Sequence, residues 1–328
     1  MRKALIVGID YYDQVAPLSG AVNDAHSVKA VLEHHADGTL NFAQPRLLTG
    51  TGPSSPVTRA DLRAAVRELF EDDADIALFY FAGHGSIDST GGFLCASDCT
   101  ADGDGMLALS EVLKLASDSR ARNKVIILDS CHGGVAGGSE IAEDYAALKE
   151  GVTILTASTA DQYAMETGQG TGVFTSLMVD ALNGAGANLV GAVTPGSVYA
   201  HVDQSLGPWD QRPVFKTNIK KFVSLRTADA AVELGDLKML TRLFEDPTLR
   251  LPLDPTYEPD RSGRESDSIP DPDPARNAEF AVLQAFAKVN LVRPVGATHM
   301  YYAAMESKSC ELTVLGQHYW RLVDRGLI

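Results

Sequence analysis

Cysteine is scarce: four in 328 residues, at Cys95, Cys99, Cys131 and Cys310. None stands in a C-x-x-C pair, and Cys95 and Cys99 form a C-x-x-x-C with no histidine pair nearby. That spacing excludes a zinc ribbon and a disulfide framework, and it predicts a reducing, cytoplasmic setting. Basic charge is also short, with 28 Lys and Arg against 43 Asp and Glu and a net charge of −15. A surface of that sign repels phosphate backbones and anionic lipid, so neither nucleic acid nor membrane is expected as a partner. Long apolar runs are missing too, and nothing approaches the ~20 residues needed to span a bilayer. A strand-like run begins at Lys3, so no signal peptide is expected. No internal repeat is visible.

What remains is a chain able to bury a sizeable core, with 45% hydrophobic residues and a length that predicts one large domain and a smaller one. From residue 3 to about 216, apolar runs alternate with helical periodicities. Strands are predicted at 3–9, 46–48, 75–82, 123–129, 152–157 and 212–216. Ala25, Val28, Val31 and Leu32 carry a helical spacing, and Thr58-Arg59-Ala60-Asp61 before Leu62, Ala65, Val66 and Leu69 reads as a capped amphipathic helix. Strands separated by helices imply βαβ units and an α/β fold with a mostly parallel six-stranded sheet between two helical layers. This domain is placed at 1–225, followed by a connecting helix at 226–245. Residues 246–277 hold seven prolines, eight acids and four arginines, and they read as a linker. Residues 278–328 form a small α+β module: a helix carrying Phe280, Leu283 and Phe286, a β-prone stretch at Met300–Ala304, and a helix opened by Thr313.

Two short runs carry the chemistry. Gly83-His84-Gly85 ends the strand Ile76–Phe81, and Asp129-Ser130-Cys131-His132-Gly133 ends the strand Val125–Leu128. In open α/β sheets, reacting groups gather at the carboxyl ends of strands. A thiol needs a base to become a nucleophile, and His84 is placed to supply one to Cys131. His132 is the rival base, but as the sequence neighbour of Cys131 it points away from the thiol in most backbone geometries. Backbone amides just past a strand end are not used by the sheet ladder, so those of Gly85 and Cys131 are candidates for an oxyanion hole. A lone cysteine or a Gly-His-Gly turn is more often packing or turn sterics. Their joint placement at two strand ends favours catalysis.

These runs resemble those of the caspase-like peptidases, and most closely the metacaspases. Leu18-Ser19-Gly20-Ala21-Val22-Asn23-Asp24, Thr156-Ala157-Ser158-Thr159-Ala160-Asp161-Gln162 and Gly172-Val173-Phe174-Thr175 resemble further metacaspase segments, in the same order, over about residues 1–225. The resemblance implies a caspase-like α/β/α sandwich and a cysteine endopeptidase with a Cys131–His84 dyad. It also implies an S1 pocket in which Asp24 and Asp129 match acidic positions, with Asp161 as a third acid. Where caspases that cut after aspartate carry glutamine and arginine, this chain has Asp129 and Leu18. Two carboxylates select Arg over Lys, because a guanidinium pairs with a carboxylate through two hydrogen bonds. Helix N-terminal charge is the bland role for Asp24. Metacaspases often have serine two residues before the histidine, and here that position is Ala82.

No cofactor is required by this reading. Calcium activation, known in the family, would draw on Asp98, Asp102 and Asp104, although their run lacks the closing glutamate of an EF-hand loop. Lys149 is a candidate self-cleavage point. The expected partners are protein or peptide substrates with a basic P1 residue. The C-terminal module is faintly similar to winged-helix modules of bacterial effector enzymes, and a recruited or activating protein partner is expected for it; the peptidase resemblance implies a role in bacterial cell death or defence. With five basic and four acidic side chains over 279–328, it lacks a DNA-binding stripe. The competing reading is a catalytically silent adaptor that uses this module. Intact Cys131, His84 and S1 acids argue against it.

Overall fold

Buried strands reveal themselves here by unbroken apolar runs, because a parallel sheet covered on both faces has no side left for polar residues. The structure is a computed structural model describing residues 1–88, 90–100, 102–130, 148–157, 172–207, 212–260 and 269–328. It divides into two units, Met1–Asp229 and Ala230–Ile328.

The first unit runs β1 (Arg2–Ile9), α1 (Ala21–Glu33), β2 (Arg46–Gly50), α2 (Arg59–Glu71), β3 (Ile76–Ala82), β4 (Gly85–Asp88), β5 (Gly91–Cys95), β6 (Met106–Ala108), α3 (Leu109–Asp118), β7 (Asn123–Asp129), β8 (Val152–Thr156), α4 (Val173–Asp180), β9 (Ala192–Val193), α5 (Pro195–Ser205), β10 (Val214–Asn218) and β11 (Arg226–Thr227). Six of these strands form the central sheet in the order β10-β8-β7-β3-β1-β2. All pairs are parallel except β10 against β8. The predicted six-stranded sheet is therefore present, its last strand starting two residues later than expected.

Alternation along the strands builds two cores. Leu5, Val7, Phe79, Phe81, Ile126 and Leu128 pack with Leu62, Val66, Val112 and Leu113 of α2 and α3. Ile6, Leu78, Tyr80, Val125 and Ile127 pack with Ala25, Val28, Phe174, Met178 and Val198 of α1, α4 and α5. The result is a three-layer sandwich. The expected cap of helix α2 forms, as a reciprocal box: Thr58 accepts from the Asp61 amide, and the Asp61 carboxylate accepts in return from the Thr58 amide. The antiparallel meander β4-β5-β6 is additional to the sequence prediction.

The second unit contains α6 (Leu234–Leu237), α7 (Leu240–Leu243), β12 (Arg250–Pro252), α8 (Pro274–Lys288), β13 (Val292–Val295), α9 (Met300–Met305), β14 (Ser309–Leu312) and α10 (Val314–Asp324). Its sheet is antiparallel in the order β12-β14-β13. Three expectations are corrected. Residues 226–245 are not one helix: β11 pairs with β9, and two short helices follow, burying Leu237, Leu240 and Leu243 while Leu234 stays exposed. The 246–277 stretch is not simply a linker, since Leu251 pairs with Cys310 and Leu253 and Tyr257 are buried. Two of its prolines open helical turns directly after an N-cap, Asp254 before Pro255 and Asp273 before Pro274. The β-prone run at Met300 is a helix that buries Ala303 and Ala304. The cap at Thr313 forms, its hydroxyl accepting from the Gly316 amide at 3.0 Å.

Candidate active site

The sheet changes direction between β1 and β3, since the chain goes from β1 out to β2 and then returns to β1's other side. Ligand sites of open α/β sheets collect outside the carboxyl ends of strands at such a switch point. Three segments meet there: the loop after β1, the turn after β3 and the end of β7.

His84 leaves β3 two residues past its end. Its backbone is held on both sides: its N–H donates to Tyr12 Oη at 2.8 Å, and its carbonyl accepts from the Cys95 amide at 3.0 Å. The latter bond flanks the Gly85–Leu94 pair, so the Gly85 amide points away from β5 and is not used by that ladder. The imidazole Nε2 lies 2.8 Å from the Ala16 carbonyl. A carbonyl only accepts, so Nε2 carries the hydrogen and Nδ1 is the basic nitrogen. Ala16 belongs to a loop anchored by the Asp10 and Tyr11 amides, which donate to the Gly50 carbonyl, and by the Leu18 amide, which donates to the Asp10 carbonyl. The Asp10 carboxylate accepts from the Ala21 amide at 2.9 Å and so serves the start of α1, where Gly20 has no side chain to cap with.

Strand register brings the second motif beside the first. Ala82 is opposite Asp129, and the Gly83 amide donates to the Asp129 carbonyl at 3.3 Å. Asp129 follows Val125 and Ile127 on the side of β7 that faces α1 and α4. Its Oδ2 accepts from Thr175 Oγ1 at 2.6 Å, and Thr175 Oγ1 is 2.6 Å from Tyr80 Oη. Burial and the nearby negative charges of Asp129 and Asp24 push the Tyr80 phenol well above its ordinary range, so it keeps its proton. With Thr175 donating to the carboxylate, Tyr80 must donate to Thr175, and the chain of hydroxyls has one direction.

Asp24, in the first turn of α1, is buried, and its carboxylate accepts from the Gly172 amide at 2.9 and 3.2 Å. It therefore complements the N-terminus of α4, where Gly172 is the cap residue, as well as lying in its own helix's first turn. A Cβ on Gly172 would lie 2.7 Å from Asp129 Oδ2 and 3.0 Å from Asp24 Oδ2. The two acids converge there, and a side chain at this position would displace at least one of the carboxylates.

Cys131, His132 and Asp161 lie outside the described residues. Two members of the acidic run have hydrogen-bond partners of their own. The Asp98 carboxylate accepts from the Arg59 amide at 2.8 Å in the first turn of α2, while the backbone amide of Asp104 donates to Thr100 Oγ1 and its carbonyl accepts from the Thr100 amide. Among the described residues, no three His, Cys, Asp or Glu side chains form a metal-binding group. Lys149 pairs with Asp118 at 2.8 Å, just before β8 and thus at the opposite edge of the sheet from His84. Tyr12, Ala16, Tyr80 and Thr175 also face the site, although no motif in the sequence gives them a role. Thr175 stands in a recognised run, but only the fold shows that its hydroxyl meets Asp129.

The strand order and two helical layers define a caspase-type sandwich, and solved structures agree at the level of the fold. A Geobacter sulfurreducens protein, GSU0716, superposes with a TM-score of 0.51 at 17% identity, covering 70% of this chain and all of its own. Caspase-1 of Spodoptera frugiperda gives 0.51 at 13% identity, covering 70% of this chain and 91% of its own. The caspase domain profile matches residues 1–223, and the chain belongs to that family, peptidase family C14. Among curated relatives, Metacaspase-1A of Aspergillus oryzae is 35% identical over 92 residues, 26% of this chain and 20% of its own length. Metacaspase-1 of Botryotinia fuckeliana is 28% identical over 218 residues, 58% of this chain and 46% of its own. The chain thus spans less than half the length of these relatives, and the family match stops short of the second unit. Among the described residues, no helix is long and apolar enough to cross a membrane.

Proposed function

We propose that the chain is a cysteine endopeptidase that cuts after arginine, and less readily after lysine, with Cys131 as nucleophile and His84 as base. The observation that supports this best is the convergence of the Asp24 and Asp129 carboxylates on Gly172, one hydrogen bond away from the turn that presents His84. Two buried acids beside each other repel, and a cationic P1 side chain relieves that repulsion while pairing with both. An aspartate there would meet like charge.

In this reading Nδ1 of His84 takes the thiol proton and Cys131 Sγ attacks the scissile carbonyl. The oxyanion is received by the amides of Gly85 and Cys131. The imidazolium, steadied by the Ala16 carbonyl at Nε2, then gives its proton to the leaving amine as the C–N bond breaks. Water hydrolyses the thioester that remains.

The test is hydrolysis of fluorogenic peptides ending in Arg, Lys or Asp by the wild type and by C131A and H84A. Arginyl peptides should be cut fastest, aspartyl peptides not at all, and each variant should be inactive. Equal cutting of aspartyl peptides, or activity in C131A, overturns the proposal.

A further inference from the structure

The base of the proposed reaction has two nitrogens, and only one tautomer leaves Nδ1 free to take a proton. The Ala16 carbonyl selects that tautomer only if the loop bearing it stays at hydrogen-bond distance from the β3 turn. One side chain ties the two together. Tyr12, on the same loop as Ala16, accepts the His84 amide at 2.8 Å, and its ring lies against the imidazole with centroids 4.7 Å apart and a tilt of 49°. The contacts close a ring: His84 N–H to Tyr12 Oη, along the chain to Ala16, and from its carbonyl back to Nε2. We propose that Tyr12 is a positioning residue that holds His84 in the Nε2-protonated tautomer and so makes Nδ1 the base.

The bland role of Tyr12 is core filling, since it is 4% exposed and packs in the cluster with Phe79, Phe81 and Cys99. Phenylalanine would fill that space as well, so packing does not account for the hydroxyl. The neighbouring backbone is also fitted to this hydroxyl. A Cβ on Gly83 would lie 2.7 Å from Tyr12 Oη, so the glycine before the histidine is required for the phenol to sit where it does. The Tyr12 backbone is fixed on either side: the Tyr11 amide donates to the Gly50 carbonyl at 3.0 Å, and the Asp13 amide to the Ser97 carbonyl at 2.8 Å. Burial pushes the phenol far above its ordinary range, so it remains a neutral hydroxyl throughout the working pH range. Its role is geometric, and it takes no proton from the dyad.

The inference rests on the peptidase reading, and its test separates the two. Imidazole nitrogen NMR shifts of His84, measured in full-length C131A with and without Y12F, report the tautomer without any turnover. The parent should show Nε2–H almost alone, and Y12F a mixture. In the otherwise native enzyme, Y12F should lower kcat on arginyl peptides by about 10- to 100-fold, the scale of a misplaced reacting group, with KM within about twofold. G83A, which crowds the phenol from the other side, should shift the tautomer the same way and stands in if Y12F does not fold. An unchanged tautomer in the variants overturns the proposal, as does kcat falling only in step with stability. A wild type that cuts nothing overturns the peptidase reading, and the NMR comparison still decides the role of Tyr12.

Discussion

Asp129→Asn separates the charge of the proposed S1 acid from its shape. The amide oxygen still accepts from Thr175, so the hydroxyl chain back to Tyr80 survives. What is lost is one of two negative charges offered to a guanidinium. Opposite unit charges 4 Å apart interact by about 4 kcal/mol at an effective dielectric of 20. Desolvation offsets part of this, and a hydrogen bond to a charged group nets about 1.5–3 kcal/mol. A loss of about 2–3 kcal/mol lowers kcat/KM for arginyl peptides about 30- to 150-fold. Stability should move the other way. Both carboxylates come within about 3 Å of one point, which keeps them within about 6 Å of each other. Their repulsion is then about 3 kcal/mol before the Gly172 and Thr175 hydrogen bonds moderate it. The melting temperature of D129N should therefore equal or exceed that of the wild type while arginyl hydrolysis falls. Unchanged arginyl hydrolysis, or activity and melting temperature falling together, refutes the reasoning.

Three further outcomes are expected. Thr175→Val leaves Asp129 Oδ2 without its hydroxyl donor and Tyr80 without its acceptor. It should cost about 1–3 kcal/mol in urea unfolding and raise KM for arginyl peptides, and no change in either would contradict the relay. Cys95, Cys99 and Cys310 are buried, and burial pushes the Cys99 thiol up and that of Cys310 to about 12. Iodoacetamide at neutral pH should accordingly label Cys131 first, and more slowly in H84A; comparable labelling of Cys310, read by peptide mass, would be incompatible with this burial. Hydrogen bonds from Arg293 and Arg250 hold the Glu311 carboxyl below its usual 4.5. A native value below the unfolded one gives stability that is complete above the unfolded value of about 4.5 and lost as pH falls through the native value. Calorimetry of the C-terminal unit should show this acid-side loss in the wild type and a flatter profile in E311Q; identical profiles would remove Glu311 as the cause.

The central sheet was legible because its signal is physical and local: Ile76–Ala82 is buried at every position, and seven consecutive apolar or aromatic residues suit few other environments. The meander was not, since Gly91 and Gly92 in β5 and the three-residue β6 have little strand propensity, and pairing rather than composition makes them strands. In the second unit, proline and aspartate density read as a linker, whereas Asp254-Pro255 and Asp273-Pro274 are cap and first-turn pairs in which proline is favoured. Met300-Tyr301-Tyr302 has strand-like residues, but burial of Ala303 and Ala304 gives it a helix. At the site, His84, Asp24 and Asp129 stood out by motif. Tyr12 and Ala16 did not, because one contributes an acceptor to a backbone amide and the other a carbonyl that any residue possesses.

The pairing of β12 with β14 has a consequence for limited digestion. Arg250–Pro252 and Ser309–Leu312 lie on opposite sides of the exposed, irregular stretch Pro270–Pro272, yet they share a ladder. A protease that opened the backbone in that stretch would cut the covalent connection and leave the ladder in register. The two fragments would then migrate as one species on a sizing column and part only in denaturant.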